Sequence, residues 1–118
     1  MNTIATRRML VAGFLAVALG AAGATRYVDA NSPGAASPYT SWVTAAENVG
    51  DALGVSSDGD TILVRAGTYP QFSTLTVNKG VTIRSEDGVP WNTFVQGAGA
   101  VRVFVLDHVN AVVEGLTI

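Results

Sequence analysis

The chain has 118 residues, a formal net charge of −2 and no cysteine. This length holds one small domain at most, and it excludes a large multidomain enzyme unless the chain is part of a longer protein. A weakly acidic chain lacks the basic face that nucleic-acid binding needs, so nucleic acid is not an expected partner. Without cysteine, no disulfide can stabilise the fold.

The first 24 residues have the pattern of an export signal. Arg7 and Arg8 precede an apolar run at residues 9–19, and the small residues at 22–24 match the small-x-small cleavage pattern. The alternative is a transmembrane helix, but the run is shorter than the ~20 residues that span a bilayer. We therefore expect cleavage after Ala24, export without a membrane anchor, and a periplasmic, cell-surface or extracellular protein. Residues 6–10 match a twin-arginine signal only in part, which favours general secretion.

Residues 25–59 are predicted to be a lead-in followed by a capping helix. The segment 25–40 is rich in Ser, Pro, Ala, Gly and Asn, which favours loop, with one short strand at residues 27–29.

The segment 41–55 has the spacing of an amphipathic helix. Its apolar residues recur every three or four positions, namely Trp42, Val43, Ala46, Val49, Ala52 and Leu53. Ser41 or Thr44 is the expected N-cap, and Glu47 stands three residues after Thr44, as in a capping box. Gly54 marks the expected end of the helix.

From residue 60 to residue 118 the pattern changes to short strands rich in Val, Ile and Thr. Turn signals such as Asp58–Gly59 and Lys79–Gly80 separate the runs. The predicted strands are residues 61–65, 75–78, 81–85, 93–96, 101–106 and 111–118.

Equivalent positions in these runs recur with a shared period of about 20 residues. They fall into two interleaved series, Ile62, Val81, Val103 and Leu75, Phe94, Val113. Repeated strands without intervening helices favour a solenoid, in which each strand pairs in parallel with its equivalent ~4.8 Å away. An antiparallel sandwich would explain the strands but not the period.

The solenoid predicts which side chains point inward, because strand residues alternate between faces. The expected inward ladders are Ile62 and Val64, Val81 and Ile83, and Val103 and Val105. The expected outward residues are Thr61, Leu63, Arg65, Thr82 and Arg84.

Seven motifs follow one another along the chain, namely Tyr27-Val28-Asp29-Ala30, Ser41-Trp42 with Thr44-Ala45, Asp51-Ala52-Leu53, the segment 57–64 (SDGDTILV), Ala66-Gly67-Thr68-Tyr69, Val81-Thr82-Ile83-Arg84-Ser85 and the segment 112–118 (VVEGLTI). Together they resemble the start of exported bacterial proteins of the pectin-lyase-like superfamily. The resemblance covers most of the chain after residue 24.

This resemblance implies an all-β fold, a right-handed parallel β-helix of about two to three coils with a short N-terminal capping helix. It implies polysaccharide binding or processing, with a non-catalytic adhesin or structural solenoid as the alternative, because fold alone does not fix activity. Members include lyases and hydrolases, so enzymatic activity stays open, and no catalytic residue can be carried over to this chain. Further coils are expected after Ile118, and the fragment alone is expected to be inactive.

Four acidic residues are weak candidates for metal ligands. Asp58 and Asp60 are two residues apart and could ligate Ca²⁺, but a turn and capping role is favoured for both. Glu86 and Asp87 precede Gly88, and the resemblance implies that coil-edge acids can hold Ca²⁺ in a full-length protein. The favoured reading is a solvated turn, and no cofactor is evident in the sequence.

Arg65 and Arg84 are weak candidates for contacts with substrate, since lyases of this superfamily use Arg or Lys as a base; Arg102 could share their face. Two exposed strand residues are the favoured reading. His108, the only histidine, follows Asp107 and could act as a general base, although a surface turn is favoured. Trp91 and Phe94 could stack on a sugar ring, but such rings more often fill a coil corner.

Overall fold

The computed structural model describes residues 23–99 and 102–118, so residues 1–22 of the predicted signal lie outside the described residues. Within them the chain forms eight strands, one short α-helix and one 3₁₀ turn. In chain order the elements are β1 (Thr25–Val28), α1 (Val49–Val55), β2 (Thr61–Val64), β3 (Gly67–Gln71), β4 (Leu75–Val77), β5 (Thr82–Ser85), the 3₁₀ turn (Pro90–Asn92), β6 (Thr93–Gly97), β7 (Phe104–Leu106) and β8 (Val112–Glu114).

The strands form three sheets, and every named strand pair is parallel. The first sheet has the order β1-β2-β5-β8, the second pairs β3 with β6, and the third pairs β4 with β7. An isolated parallel bridge from Phe94 to Thr117 extends the second sheet. From β2 onward, the chain therefore visits the first, second and third sheets in a recurring order. The antiparallel sandwich is excluded for the described residues, which form an all-β arrangement of parallel sheets.

The observed burial confirms the inward positions Ile62, Val64, Val81 and Ile83, whereas the register shows that the predicted pairing of Ile62 with Val81 is wrong by two residues. Ile62 pairs with Ile83, and Ile83 pairs with Val113, and the first two are fully buried. The predicted ladder through Val103 and Val105 is wrong, because both lie at the third sheet, where Val105 pairs with Thr76.

The predicted series Leu75, Phe94, Val113 is also wrong, since its members belong to three different sheets. Leu75 pairs with Phe104, and Phe94 pairs with Thr68.

The repeat length is not constant. Ile62 and Ile83 are 21 residues apart, whereas Ile83 and Val113 are 30 residues apart. The largest difference is at the corner between the first and second sheets, where residues 86–92 replace the two-residue connection at 65–66. Because the loops differ in length, a prediction that assumes a fixed period assigns register partners that do not pair in the structure.

Two differences from the predicted strands have local reasons: the structure has one strand more than predicted, and the last predicted strand is divided. Strand β3 was not predicted because it contains Pro70, which cannot donate a ladder hydrogen bond; β3 has a single strand neighbour, so this loss is tolerated. The predicted strand 111–118 divides at Gly115, whose φ of +69° turns the chain from the first sheet toward the second.

The predicted helix 41–55 is seven residues long, from Val49 to Val55. Its N-cap is Asn48, whose side-chain oxygen accepts from the Asp51 N–H at 2.9 Å, so Ser41, Thr44 and Glu47 do not form the expected cap. The first part of the segment instead forms bends and a turn, and Ala46 within it makes an isolated bridge to Val28 of β1.

The backbone bonds of Ala46 close the β1 side of the first sheet. Its N–H donates to the Tyr27 carbonyl at 2.9 Å, and its carbonyl accepts from the Asp29 N–H at 2.8 Å. These bonds satisfy backbone N–H and C=O groups at the edge of β1. The three- to four-residue periodicity of the sequence does not indicate such pairing.

The core lies between the three sheets and the inner side of α1. Its main buried apolar residues are Val28, Val49, Ala52, Leu53, Ile62, Val64, Tyr69, Val77, Val81, Ile83 and Val95. Burial raises the pKa of Tyr69 to about 12, and its hydroxyl donates to the Arg65 carbonyl at 2.7 Å. Thus the Tyr69 hydroxyl is hydrogen-bonded although the side chain lies in the core. Among the described residues, no helix is long and apolar enough to cross a bilayer.

Candidate functional site

A cavity of about 260 Å³ lies at the corner where β5 and β8 end. We call it the corner cavity, and it is lined by Arg84, Ser85, Gly88, Glu114 and Gly115. Parallel pairing brings these residues together, because Arg84 and Glu114 are register partners on neighbouring strands. The long connection at residues 86–92 contributes Gly88, so the cavity forms at the corner where the second circuit departs from the first.

Ser85 and Gly115 form the inner wall of this cavity. The Ser85 side chain is fully buried, and its hydroxyl has no hydrogen-bond partner among the described residues. A Cβ on Gly115 would lie 2.6 Å from the Ser85 Oγ, and the φ of +69° at Gly115 also favours glycine. The missing side chain at residue 115 therefore leaves room beside a buried hydroxyl.

Arg84 and Glu114 supply opposite charges at the rim. Both side chains are exposed, and neither makes an ion pair within the described part of the chain. The guanidinium offers only donors and the carboxylate only acceptors. The rim of the cavity thus carries both kinds of group that a polyhydroxylated ligand requires.

The connection next to the cavity is fixed by Asp87. Its Oδ1 accepts from the Val89 N–H at 2.9 Å, and its Oδ2 accepts from the Asn92 amide at 3.1 Å. These two bonds lower the pKa of Asp87, with Val89 the larger cause. Asp87 is therefore occupied in holding the turn.

Arg65 is engaged in a charged and aromatic cluster across three segments. Its guanidinium contacts Asp29 at 3.3 Å and Glu86 at 3.2 Å, and it lies 3.8 Å from the centroid of the Trp42 ring. The hydrogen bond to Glu86, followed by the attraction of Glu86 and Asp29, raises the pKa of Arg65 despite some desolvation. The guanidinium stays protonated, which suits ion pairing rather than proton abstraction.

Arg65 and Arg84 do not stack on each other. Leu63 is the register partner of Arg84, so the two arginines differ by two positions along the first sheet. Glu86, two residues after Arg84, is the partner that Arg65 reaches. Of the two weak substrate candidates, Arg65 is therefore ion-paired and Arg84 is exposed.

Asp58 and Asp60 have the turn and capping roles that the sequence favours. Asp58 accepts from the Gly80 N–H at 2.8 Å. Asp60 is buried and accepts from the N–H groups of Ser57 at 2.9 Å and Ala24 at 2.8 Å, and from Arg26 at 3.2 Å. Burial alone would raise the pKa of Asp60, but the bonds from Ser57, Ala24 and Arg26 hold it below its usual range.

The remaining candidates lie apart from the corner cavity lining. The Nδ1 atom of His108 accepts from the Asn110 N–H at 3.1 Å, as expected in a surface turn. Trp91 is 72% exposed on the 3₁₀ turn, whereas Phe94 is half-buried in the second sheet. Arg102 is exposed. Within residues 23–99 and 102–118, no three His, Cys, Asp or Glu side chains gather in a group that could hold a metal ion.

Sequence reasoning missed most of the corner cavity. Of its residues only Arg84 was a candidate, because Ser85, Glu114 and Gly115 come together through a register that the 19-residue period does not give. The glycine after a strand in VVEG was an available signal, since such a residue often marks a position that needs positive φ.

No protein-family model matches the chain, and no curated protein or solved structure matches it either.

Proposed function

We propose that this chain is the N-terminal cap and first coils of a secreted right-handed parallel β-helix protein that binds polysaccharide. The observation that carries the proposal is the path of the chain through three parallel sheets in a recurring order. Parallel strands need a crossover between them, and here the crossovers are strands of the other sheets. This is the arrangement expected of a solenoid with three strands in each coil.

The two sides of the first sheet support the assignment of a cap. Ala46 and α1 cover the β1 side, whereas β8 has no further strand neighbour among the described residues. Further coils can therefore add to the β8 side without rearranging the cap.

The corner cavity supports a carbohydrate ligand. Sugar hydroxyls both donate and accept hydrogen bonds, and the exposed rim of the cavity offers a guanidinium and a carboxylate. The paired state of Arg65 favours binding over lyase chemistry, because its guanidinium is already engaged by Asp29 and Glu86. A non-catalytic adhesin or structural solenoid is the alternative, and a full-length protein could add catalytic coils and Ca²⁺.

Co-sedimentation with insoluble polysaccharides tests the proposal on the exported product of the full precursor. We expect binding to at least one neutral or uronate polymer, and at least a tenfold loss of affinity in Arg84→Gln and Glu114→Gln. Arg102→Gln and Glu47→Gln are matched controls, because both residues are exposed and lie outside the corner cavity lining.

Two outcomes separate the alternatives. Absence of binding to every polymer would support the structural solenoid and reject the carbohydrate proposal. Appearance of unsaturated products from uronate polymers, followed by ultraviolet absorbance with and without Ca²⁺, would instead establish a lyase.

A further inference from the structure

Ala24 is part of the fold, although the sequence pattern assigns it to the cleaved signal. Its N–H donates to Asp60 Oδ1 at 2.8 Å, and its carbonyl accepts from the Thr61 N–H at 3.0 Å. Both partners belong to the turn and strand that open the first circuit. Cleavage after Ala24 would remove both bonds and leave a buried carboxylate oxygen without its donor.

The two oxygens of Asp60 are used differently. Oδ2 accepts from Arg26 and from the Ser57 N–H, whereas Oδ1 accepts from Ala24 alone among the described residues. Asp60 is 4% exposed, but Ala24 itself is exposed. An α-ammonium at residue 24 could thus donate one hydrogen bond to the buried Asp60 Oδ1 and its other hydrogen bonds to water.

Gly23 lies in a position with no room for a side chain. A Cβ on Gly23 would overlap the backbone of Gly59 and Asp60. Small residues also stand at Ala21 and Gly23, so residues 21–23 satisfy the small-x-small pattern one position earlier than residues 22–24. A chain that starts at Ala24 keeps both bonds of Ala24.

We propose that the export signal is cleaved between Gly23 and Ala24, and that the new α-ammonium of Ala24 pairs with Asp60. The inference rests on the export part of the proposed function. An exported-precursor peptidase hydrolyses the Gly23–Ala24 amide. Water supplies the hydroxyl of the new Gly23 carboxyl group and one proton to the Ala24 amine, and the carboxyl group then releases a proton as the amine takes one up to become the ammonium. The amide donor at 2.8 Å becomes a charged donor to the same oxygen, which strengthens the bond.

The first experiment expresses the full precursor in a bacterial host and determines the N-terminus of the exported product by intact mass and N-terminal sequencing. The expected first residue is Ala24. Thr25, Gly23 or any other first residue would overturn the inference while leaving export supported. Retention of the whole precursor, with its signal uncleaved, would overturn both the inference and the export proposal.

The second experiment measures the pKa of the new α-amine. The chain has one lysine, Lys79, so reductive methylation with ¹³C-formaldehyde gives two amine signals in an NMR titration of the exported product. An ordinary α-amine has a pKa of about 7.7–8.0. We expect the Ala24 amine to titrate about one unit higher in the unaltered protein than in Asp60→Asn, with the Lys79 signal unchanged.

The charged groups near this amine set the direction of the shift. Asp60 contacts the amine directly, and Arg26 is bonded to the other oxygen of Asp60. Asp58 precedes Asp60 by two residues in the sequence and is bonded to the Gly80 N–H. The nearest group is negative, so the protonated amine is favoured. An α-amine that titrates at its ordinary value in the unaltered protein would contradict the ion pair, whatever the folding of Asp60→Asn.

Discussion

At the scale of single residues, Asp60 connects the start of the described chain to the first circuit. Its carboxylate holds Ala24 and Arg26, from the start of the described chain, and Ser57, from the turn before β2. Asp-Gly-Asp in a sequence indicates a turn, and this part of the prediction is confirmed, since Gly59 has a φ of +90°. The ion pair with Arg26 was not predictable, because nothing in the spacing relates residues 26 and 60.

Asp60 should make the stability of the protein depend on pH. An unfolded aspartate has a pKa of about 3.9, and the folded value is lower. The stabilisation is therefore fully present above the unfolded pKa and is lost as the pH falls through the folded pKa. We expect Asp60→Asn to reduce the free energy of unfolding by roughly 2–4 kcal/mol at pH 7.

Urea unfolding between pH 2 and pH 7 checks this expectation. The difference between the unaltered protein and Asp60→Asn should shrink toward zero at the acid end. Glu47→Asn, at an exposed acid, is the control and should leave the pH profile unchanged. A difference that stays constant with pH would mean that the Asp60 carboxylate is not the source.

Lys79 should stabilise the end of α1. Its ammonium donates to the carbonyls of Leu53 at 3.0 Å and Ser56 at 2.7 Å at the C-terminal end of the helix, where the Leu53 carbonyl also accepts from the Ser56 N–H at 3.2 Å. Positive charge also complements the negative end of the helix dipole. Lys79→Met keeps most of the aliphatic length and should lower the free energy of unfolding by about 1–2 kcal/mol in urea titrations. Arg102→Met, at an exposed position, should change it by less than about 0.5 kcal/mol.

At the scale of elements, the sequence predicted the inner side of α1 but not its extent. The buried residues Val49, Ala52 and Leu53 belong to the predicted stripe, whereas Val43 from the same stripe is 69% exposed. Helical periodicity continues through residues 41–48, yet Ala46 bonds to β1 instead. Pairing with an unsatisfied strand edge outweighs a short, glycine-containing helix, whose intrinsic stability is low.

The end of β8 provides a test of the corner cavity wall. Gly115→Ala should destabilise the protein by about 1–2 kcal/mol, because of the positive φ and the approach to Ser85 Oγ. Ser85→Ala should be neutral or stabilising, because its hydroxyl has no partner to lose. The double variant should be more stable than the sum of the single changes implies, since removal of Oγ relieves the contact.

Thermal and urea unfolding of the four proteins in this cycle measure the coupling. A coupling of about 0.5 kcal/mol or more between residues 85 and 115 is expected for groups in direct contact. Strict additivity would contradict the observed approach. Gly99→Ala, which shares a positive φ but has open space around its Cβ, separates the backbone cost from the contact.

At the scale of the whole molecule, the sequence predicted parallel pairing and short strands but not the circuit. The inward position of Ile62 and Ile83 was correct because loops 65–66 and 72–74 are short enough for the assumed period to hold approximately. The second circuit was misread because residues 86–92 and 98–103 lengthen two of its corners. The length of a loop leaves the periodicity within each strand unchanged. The effect of loop length on pairing is therefore seen only in the strand register of the structure.

Paired cysteines should test this circuit in solution, and the absence of native cysteine makes the measurement clean. Thr68→Cys with Phe94→Cys, and Thr76→Cys with Val105→Cys, replace register partners in the second and third sheets. Neighbouring strands are about 4.8 Å apart, which lies within the ~4.4–6.8 Å Cα separation of disulfides. Mild oxidation should therefore cross-link most molecules of both variants, as counted by thiol alkylation and mass spectrometry.

The matched control is Asn78→Cys with Gly97→Cys, two exposed positions that would be register partners if Leu75 paired with Phe94 as the predicted series has it. Gly97 is instead the partner of Gln71, so this control should keep both thiols free. Cross-linking of the control in place of the two register pairs would restore the constant period and remove the recurring path through three sheets. The β-helix proposal depends on that path, so this result would contradict it. The bonds of Ala24 and Lys79 do not depend on the path, so the experiment tests the arrangement of the sheets and not those bonds.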